Sequence, residues 1–142
     1  MKTVRELLEE KGREVRSIGP DATVYDALKL MADQEIGSLV VLEGGRAAGI
    51  ITERDYARSV ILKGRASKDT RVREIMTSRP VCATPDQTAE ECMAVMTEKR
   101  VRHLPVIEGD ELVGLVSIGD LVKSIISEQQ FIIEQLEHYI SG

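Results

Sequence analysis

The chain has 142 residues and a formal net charge of −5, a length that fits one domain and allows a sizeable core. Hydrophobic residues make up 42% and charged residues 30%, which excludes a disordered or fibrous chain. Aromatics are only 3%; with the acidic balance this argues against nucleic-acid binding, which needs basic faces and stacking rings.

No apolar run reaches the roughly 20 residues of a membrane span. The start, Met1-Lys2-Thr3-Val4-Arg5-Glu6, is charged and has no apolar signal core. A cytoplasmic protein without membrane contact is the expectation. Cys82 and Cys92 have no metal-like spacing and are expected to be reduced structural thiols.

In chain order, Glu9-Glu10-Lys11 reads as a solvated charge run. Residues 15–18 form an extended piece. Pro20-Asp21-x-Thr23 then opens a helix. Thr23 is its candidate N-cap, with Asp26 three residues on, and Val24, Ala27, Leu28 and Met31 fall at helical spacing. Two apolar strands follow, residues 38–42 and 47–51, turned by Glu43-Gly44-Gly45-Arg46. The strands are almost continuously apolar, as expected when both faces are covered. A second helix starts at Thr52. Residues 63–71 form a polar, glycine-containing linker.

The whole unit is then written again. Gly49-Ile50-Ile51-Thr52-Glu53-Arg54-Asp55 recurs 65 residues later as Gly114-Leu115-Val116-Ser117-Ile118-Gly119-Asp120. Pro20-Asp21-x-Thr23 matches Pro85-Asp86-x-Thr88, and Leu39-x-Val41-x-Glu43-Gly44 matches Leu104-x-Val106-x-Glu108-Gly109. Met31 matches Met96, and Ser59 matches Ser124. After a three-residue slip, Val4-Arg5-Glu6-Leu7-Leu8 echoes Val72-Arg73-Glu74-Ile75-Met76. This is a duplication of a β-α-β-β-α unit. The second unit's extended piece is residues 81–83. Its first helix is capped at Thr88 with Glu91, and its strand at residues 101–106 carries His103. The last helix of the second unit runs on: Val122, Ile125, Ile126, Gln129, Ile132, Ile133, Leu136, Tyr139 and Ile140 continue one stripe almost to Gly142. Such a stripe has to be buried, either on its own domain or, as preferred here, in a homodimer contact.

The repeat resembles the cystathionine-β-synthase (CBS) domain, and the whole chain resembles a stand-alone tandem pair of them, a Bateman module. The resemblance rests on Val-Arg-Glu-Ile-Met at Val72, on Pro-Asp-x-Thr twice and on Val101-Arg102-His103-Leu104-Pro105-Val106. It rests also on Gly-h-x-(Thr/Ser)-x-x-Asp twice, where h is apolar. It covers residues 1–126. It implies a mixed α+β fold with two repeats about a pseudo-twofold axis and an extended C-terminal helix. The divisions expected are 1–66, 67–128 and a helical extension at 129–142. It further implies two clefts that bind adenine nucleotides or relatives: AMP, ADP, ATP, NAD(H) or S-adenosylmethionine.

The residues can do that chemistry. At a strand-to-helix turn, free N–H groups and the helix dipole favour a phosphate. The Thr or Ser hydroxyl adds a donor, and the Asp one turn on can accept a ribose diol. Thr-x-x-Asp is equally the pattern of a capping box, which needs no ligand. By resemblance, one cleft joins Thr52, Arg54 and Asp55 to Pro80, Val81, Val101, Arg102 and His103. The other joins Ser117 and Asp120 to Val15, Arg16, Ile36, Gly37 and Ser38. Arg54 and Arg102 give the first cleft the bias toward charged phosphates, whereas Gly119 stands in Arg54's place in the second, which is expected to accept a less charged ligand or to borrow Arg54 across the axis. His103 reads as a packing or hydrogen-bonding residue and His138 as a surface one. Nothing resembles a nucleophile–base pair, a P-loop, a Rossmann glycine motif or a metal-ligand cluster, so no catalytic or metal residue is assigned. The expected role is a regulatory sensor acting on a separate protein that the sequence does not name. The alternatives are a ligand-independent structural or oligomerisation module and, behind it, an enzyme acting on nucleotides.

Overall fold

A computed structural model describes residues 1–141. Its regular elements begin where the sequence supplies caps. Helix α1 (Val4–Lys11) starts after Thr3, whose hydroxyl accepts the Glu6 N–H. Helix α2 (Val24–Gln34) starts after Thr23, whose Oγ1 accepts the Asp26 N–H at 3.1 Å. Helix α5 (Ala89–Lys99) starts after Thr88. There a full capping box closes, with the Glu91 N–H donating to Thr88 Oγ1 at 3.1 Å and the Thr88 N–H donating to the Glu91 carboxylate at 3.2 Å. Both α2 and α5 stop at a left-handed residue, Glu35 (φ 55) and Arg100 (φ 56). These positions correspond in the two repeats.

Strand β2 (Ser38–Glu43) pairs antiparallel with β3 (Arg46–Thr52). Gly44 and Gly45 between them both have positive φ, 59 and 80, which suits a tight turn following the sheet's twist. Strand β1 (Ser17–Ile18) adds parallel to β2. Of the expected extended piece 15–18, Ser17 and Ile18 form the strand, and the Arg16 carbonyl before them accepts the Val40 N–H at 3.2 Å. The two-residue strand β4 (Thr77–Ser78) adds antiparallel to β3. It had no apolar alternation to announce it. The order is β1-β2-β3-β4. In the second repeat, β5 (His103–Glu108) pairs with β6 (Glu111–Ser117), and Ala83 makes a parallel bridge to Val106, β1's counterpart. The strand expected from residue 101 begins at His103, because Val101 and Arg102 are spent leaving the left-handed turn at Arg100.

Two compact units result. One holds Glu14–Pro80 with Asp110–Leu112; the other holds Met1–Arg13, Val81–Gly109 and the chain from Val113 on. These are different divisions from the repeat boundaries at 66 and 128. Helix α1 packs with the second repeat: Val4, Leu7 and Leu8 share a core with Ala83, Ala89, Cys92, Met96, Leu104, Val106, Val116 and Leu121. Helix α4 (Val72–Ile75) packs with the first, where Val72 and Ile75 join Val24, Ala27, Met31, Leu39, Val41, Ile51 and Val60.

The reason is visible in matched bonds within each unit. The Val4 and Arg5 N–H groups donate to Gln87 O at 2.8 Å and Pro85 O at 2.9 Å, and Ala89 N–H donates to Lys2 O at 2.9 Å. The Val72 and Arg73 N–H groups donate to Ala22 O at 2.9 Å and Pro20 O at 2.8 Å, and Val24 N–H donates to Thr70 O at 2.8 Å. Side chains repeat the pattern. Arg5 pairs with Glu108 at 2.8 Å and Asp86 at 3.4 Å; Arg73 pairs with Glu43 at 3.0 Å and Asp21 at 3.4 Å. The Val-Arg-Glu opening thus recognises the Pro-Asp and Glu-Gly positions of a repeat other than the one that follows it in sequence.

In the first repeat the second helix is short. Helix α3 (Glu53–Tyr56) runs into a π turn at Ala57–Ile61. The linker expected at 63–71 contains a 3₁₀ turn, Ser67–Asp69, and the buried Thr70, whose hydroxyl donates to Ala66 O at 2.8 Å. In the second repeat helix α6 (Ile118–Ser141) is one rod of 24 residues. Leu121 and Ser124 are buried. Residues 129–141 are exposed throughout, including Phe131, Leu136 and Tyr139. Beyond Ile125, which packs at the edge of its own unit's core, the stripe therefore does not fold back on its own domain. Gly142, where the expected extension ends, lies outside the described residues.

Candidate functional site

The glycine that opens each motif copy is there because something comes too close for a side chain. A Cβ on Gly49 would lie 2.6 Å from the Thr77 carbonyl oxygen and 2.9 Å from Met76 Sδ. A Cβ on Gly114 would lie 2.6 Å from Leu8 Cδ2. Met76 and Leu8 correspond in the repeated opening. Each glycine thus seats the incoming segment against the strand that leads into the motif.

Beyond Gly49, β3 ends and α3 begins at a complete capping box. Thr52 Oγ1 accepts the Asp55 N–H at 3.1 Å, and Asp55 Oδ2 accepts the Thr52 N–H at 2.9 Å and the Thr52 hydroxyl at 3.1 Å. All three bonds to the Asp55 carboxylate or its amide stay within the motif, and those to the carboxylate fall on Oδ2. Arg54 is exposed.

The second copy is built the same way and then differs. Asp120 N–H donates to Ser117 Oγ at 3.1 Å, and Ser117 N–H donates to Asp120 Oδ2 at 2.8 Å. The same Oδ2 accepts Lys11 Nζ at 2.5 Å, and Lys11 Nζ also donates to the Leu115 carbonyl at 2.9 Å. Lys11 is thus not part of a solvated charge run, as its neighbours Glu9 and Glu10 had suggested. It stands at the last turn of α1, and the packing of α1 on the second repeat carries it to the motif. Sequence reasoning missed it because its partner is 109 residues away. The only signal was that α1 belongs to the duplicated pattern.

Burial by itself would push the Asp120 carboxyl up. The Lys11 hydrogen bond, with the Ser117 amide and hydroxyl, outweighs it and holds the group below the ordinary carboxylate range. Burial lowers His103 below the ordinary imidazole value; Asp120 opposes this, while Lys11 and Arg102 add to it. His103 is half-buried and senses the Lys11–Asp120 pair, whereas Arg102 is exposed.

Each cleft assigned from the sequence takes residues from both units. Within each unit the structure brings together members of opposite sets. In the first repeat, Ser38 lies in register with Thr52, and the Glu53 N–H donates to Gly37 O at 3.1 Å. Ile36, Gly37 and Ser38 therefore adjoin the Thr52 turn. Val15 is half-buried beside exposed Arg16, which pairs with Glu14 at 2.7 Å, and Pro80 closes the same unit. In the second, the Ile118 N–H donates to Arg102 O at 2.9 Å, so Val101, Arg102 and His103 adjoin the Ser117 turn. Val81 packs at the edge of that unit's core.

A cavity of about 310 Å³ opens in the first repeat, lined by Leu28, Met31, Ala32, Glu35, Ile36, Gly37 and Glu53. It touches two of the assigned positions, Ile36 and Gly37. Among the described residues no cluster of His, Cys, Asp and Glu is placed to hold a metal ion, and no helix is long and apolar enough to cross a membrane. Cys82 and Cys92 are not joined in a disulfide. Burial, with a smaller push from Glu91, drives the Cys92 thiol up to about 11, which makes it a packing residue.

This twice-built frame, with a capped Thr/Ser-x-x-Asp at each strand-to-helix turn, is that of a tandem repeat. The CBS domain family model matches the chain twice, at residues 4–61 and 72–127, and the chain belongs to the CBS domain family. Its sequence is 40% identical over 149 aligned positions to the mitochondrial CBS domain-containing protein CBSX3 of Arabidopsis thaliana, covering 99% of this chain and 72% of that one. A solved structure of a protein with CBS domains from Burkholderia ambifaria MC40-6 is 53% identical with a TM-score of 0.86, over 90% of this chain and 96% of that one. The hexameric CBS-CP12 protein from bloom-forming cyanobacteria is 32% identical with a TM-score of 0.75, over 84% of this chain and 70% of that one. CBS domains commonly bind adenosyl ligands, and stand-alone members are regulatory rather than catalytic.

Proposed function

We propose that the chain is an adenine-nucleotide-binding regulatory module for AMP, ADP, ATP or NAD(H), acting on a separate partner protein. The observation that carries this is the state of the two motif carboxylates. Each Asp spends one oxygen on its cap, which fixes its rotamer and leaves the other for a ribose diol. Capping and ligand binding are compatible roles at one residue. The neighbouring turns at 36–38 and 101–103 present backbone groups for an adenine edge, with Ile36 and Val101 as its apolar faces.

Asp55→Asn tests this better than alanine, since the amide oxygen still accepts the cap. Calorimetric titration is expected to show one class of site weakened roughly ten- to a hundredfold, with the other class unchanged. An unaltered titration rejects the ribose role of Asp55.

Both caps are complete on the motif's own atoms, which is the one observation favouring a ligand-independent structural module. Thermal shift with AMP, ADP, ATP, NAD(H) and S-adenosylmethionine separates the two readings. A bound ligand adds about 2.7 kcal/mol at a hundred times its dissociation constant, and flat responses to all five favour the structural one.

The partner proposed for the exposed end of α6 is a second copy of this chain. Ile132, Ile133, Leu136 and Ile140 put a contiguous apolar stripe on 13 exposed residues at 129–141, about 20 Å of helix. Isolated apolar residues need no partner, but a stripe of this length does. Sedimentation of the Ile133→Glu/Leu136→Glu variant is expected to shift from dimer to monomer with the melting temperature retained. A monomeric parent chain refutes the contact.

A further inference from the structure

The two motif carboxylates are not in the same electrostatic state. Asp120 Oδ2 holds an ammonium at 2.5 Å. Among the described residues Asp55 is in no ion pair; its bonds are those of the capping box. The sequence counterpart of Lys11 is Arg79. It does not take up the equivalent place, because α4 ends at Ile75 and the chain turns into β4 (Thr77–Ser78) before Arg79. Thr and Ser are weak helix formers, and Pro80 bars helix at the residue before it. In α1 the corresponding residues, Glu9 and Glu10, continue the helix, so Lys11 reaches the motif at its last turn.

An unpaired carboxylate repels a phosphate, whereas a carboxylate already paired with lysine does not. A lysine ammonium can also hold a phosphate oxygen while keeping its bond to a backbone carbonyl such as Leu115 O. Gly119 had marked this copy as the one for less charged ligands, being without Arg54's cation. That cation is present after all, and it comes from α1.

We propose that Lys11 is the specificity-determining residue of the Asp120 site, making it favour 5′-phosphorylated adenosine over the free nucleoside. This rests on the nucleotide-binding reading above. Lys11 Nζ keeps Asp120 partly neutralised, leaves Oδ1 to the ribose, and offers its remaining donor to the phosphate.

The test is calorimetric titration with AMP and with adenosine, in an Asp55→Asn background, where the weakened Asp55 site is resolved from the tighter Asp120 site. Lys11→Met is expected to reduce the preference for AMP over adenosine roughly tenfold. Lys11→Arg, which keeps the charge, is expected to retain most of it. Because the readout is a ratio of two affinities in one variant, a general loss of stability does not imitate it. An AMP-to-adenosine preference equal in the Lys11→Met and parent chains overturns the role of Lys11 while leaving nucleotide binding intact. Absence of heat with either ligand in the unmutated chain overturns nucleotide binding itself, and this inference with it.

Discussion

Removing residues 1–12 is expected to unfold the second repeat and to leave the first folded. The segment is adjacent in sequence to the first repeat, so intuition points the other way. Yet Val4, Leu7 and Leu8 are almost fully buried in the core of the unit that holds residues 81–109. Burying each contributes about 1.5–3 kcal/mol, and three together rival the roughly 5–15 kcal/mol that holds a whole domain. Their loss also strips the backbone partners of Pro85, Gln87 and Ala89 and leaves the space beside Gly114 empty. The first repeat keeps its own opening helix, α4, with Val72 and Ile75 in place. Hydrogen exchange followed by mass spectrometry checks this: protection is expected to vanish across 83–125 and to persist across 24–75. Loss centred on 24–61 contradicts the packing of α1. The milder variant Leu8→Ala, expected to cost about 2–5 kcal/mol, should shift the same segments without abolishing their fold.

Gly49→Ala is expected to cost more than Gly114→Ala, although the two glycines hold the same place in the repeat. At Gly49 the new methyl meets a backbone carbonyl, Thr77 O, at 2.6 Å. That oxygen belongs to β4, which pairs with β3 at this position, so it cannot retreat without breaking the pairing. Overpacking of this kind costs roughly 1–3 kcal/mol, occasionally more, and Gly49→Ala belongs at the upper end. At Gly114 the obstruction is the branched end of Leu8, which can change rotamer, so the lower end applies. Denaturant unfolding of the two variants gives the comparison, and equal losses would show that the β4 backbone is free to move.

Much of the fold was legible because the signals are local. Thr23 and Thr88 cap helices with Asp26 and Glu91 three residues on. Gly44 and Gly45 turn a hairpin. The 65-residue repeat reveals itself by identity alone. The capping character of Thr52 and Asp55 was legible too, as one of two readings of a single pattern. What stayed hidden depends on long-range partners. Strand β4 is two residues with no alternation, and it exists because β3 has an edge for it to join. Lys11 looked solvated because only its neighbours in sequence were in view.

The sequence by itself determined that this protein is a duplicated β-α-β-β-α chain of the CBS type, with a Gly-h-x-(Thr/Ser)-x-x-Asp turn in each copy. Periodicity, caps and internal identity act over a few residues at a time and need no tertiary context. Only the tertiary structure decided which opening helix completes which core, and therefore which motif receives a lysine. An apolar helix face states that it must be buried, but not against what. The choice was made by matched hydrogen bonds from Val4 and Arg5 to Pro85 and Gln87, and from Val72 and Arg73 to Pro20 and Ala22. Two copies of one motif came out with different charges because α1 extends to Lys11 while α4 stops at Ile75.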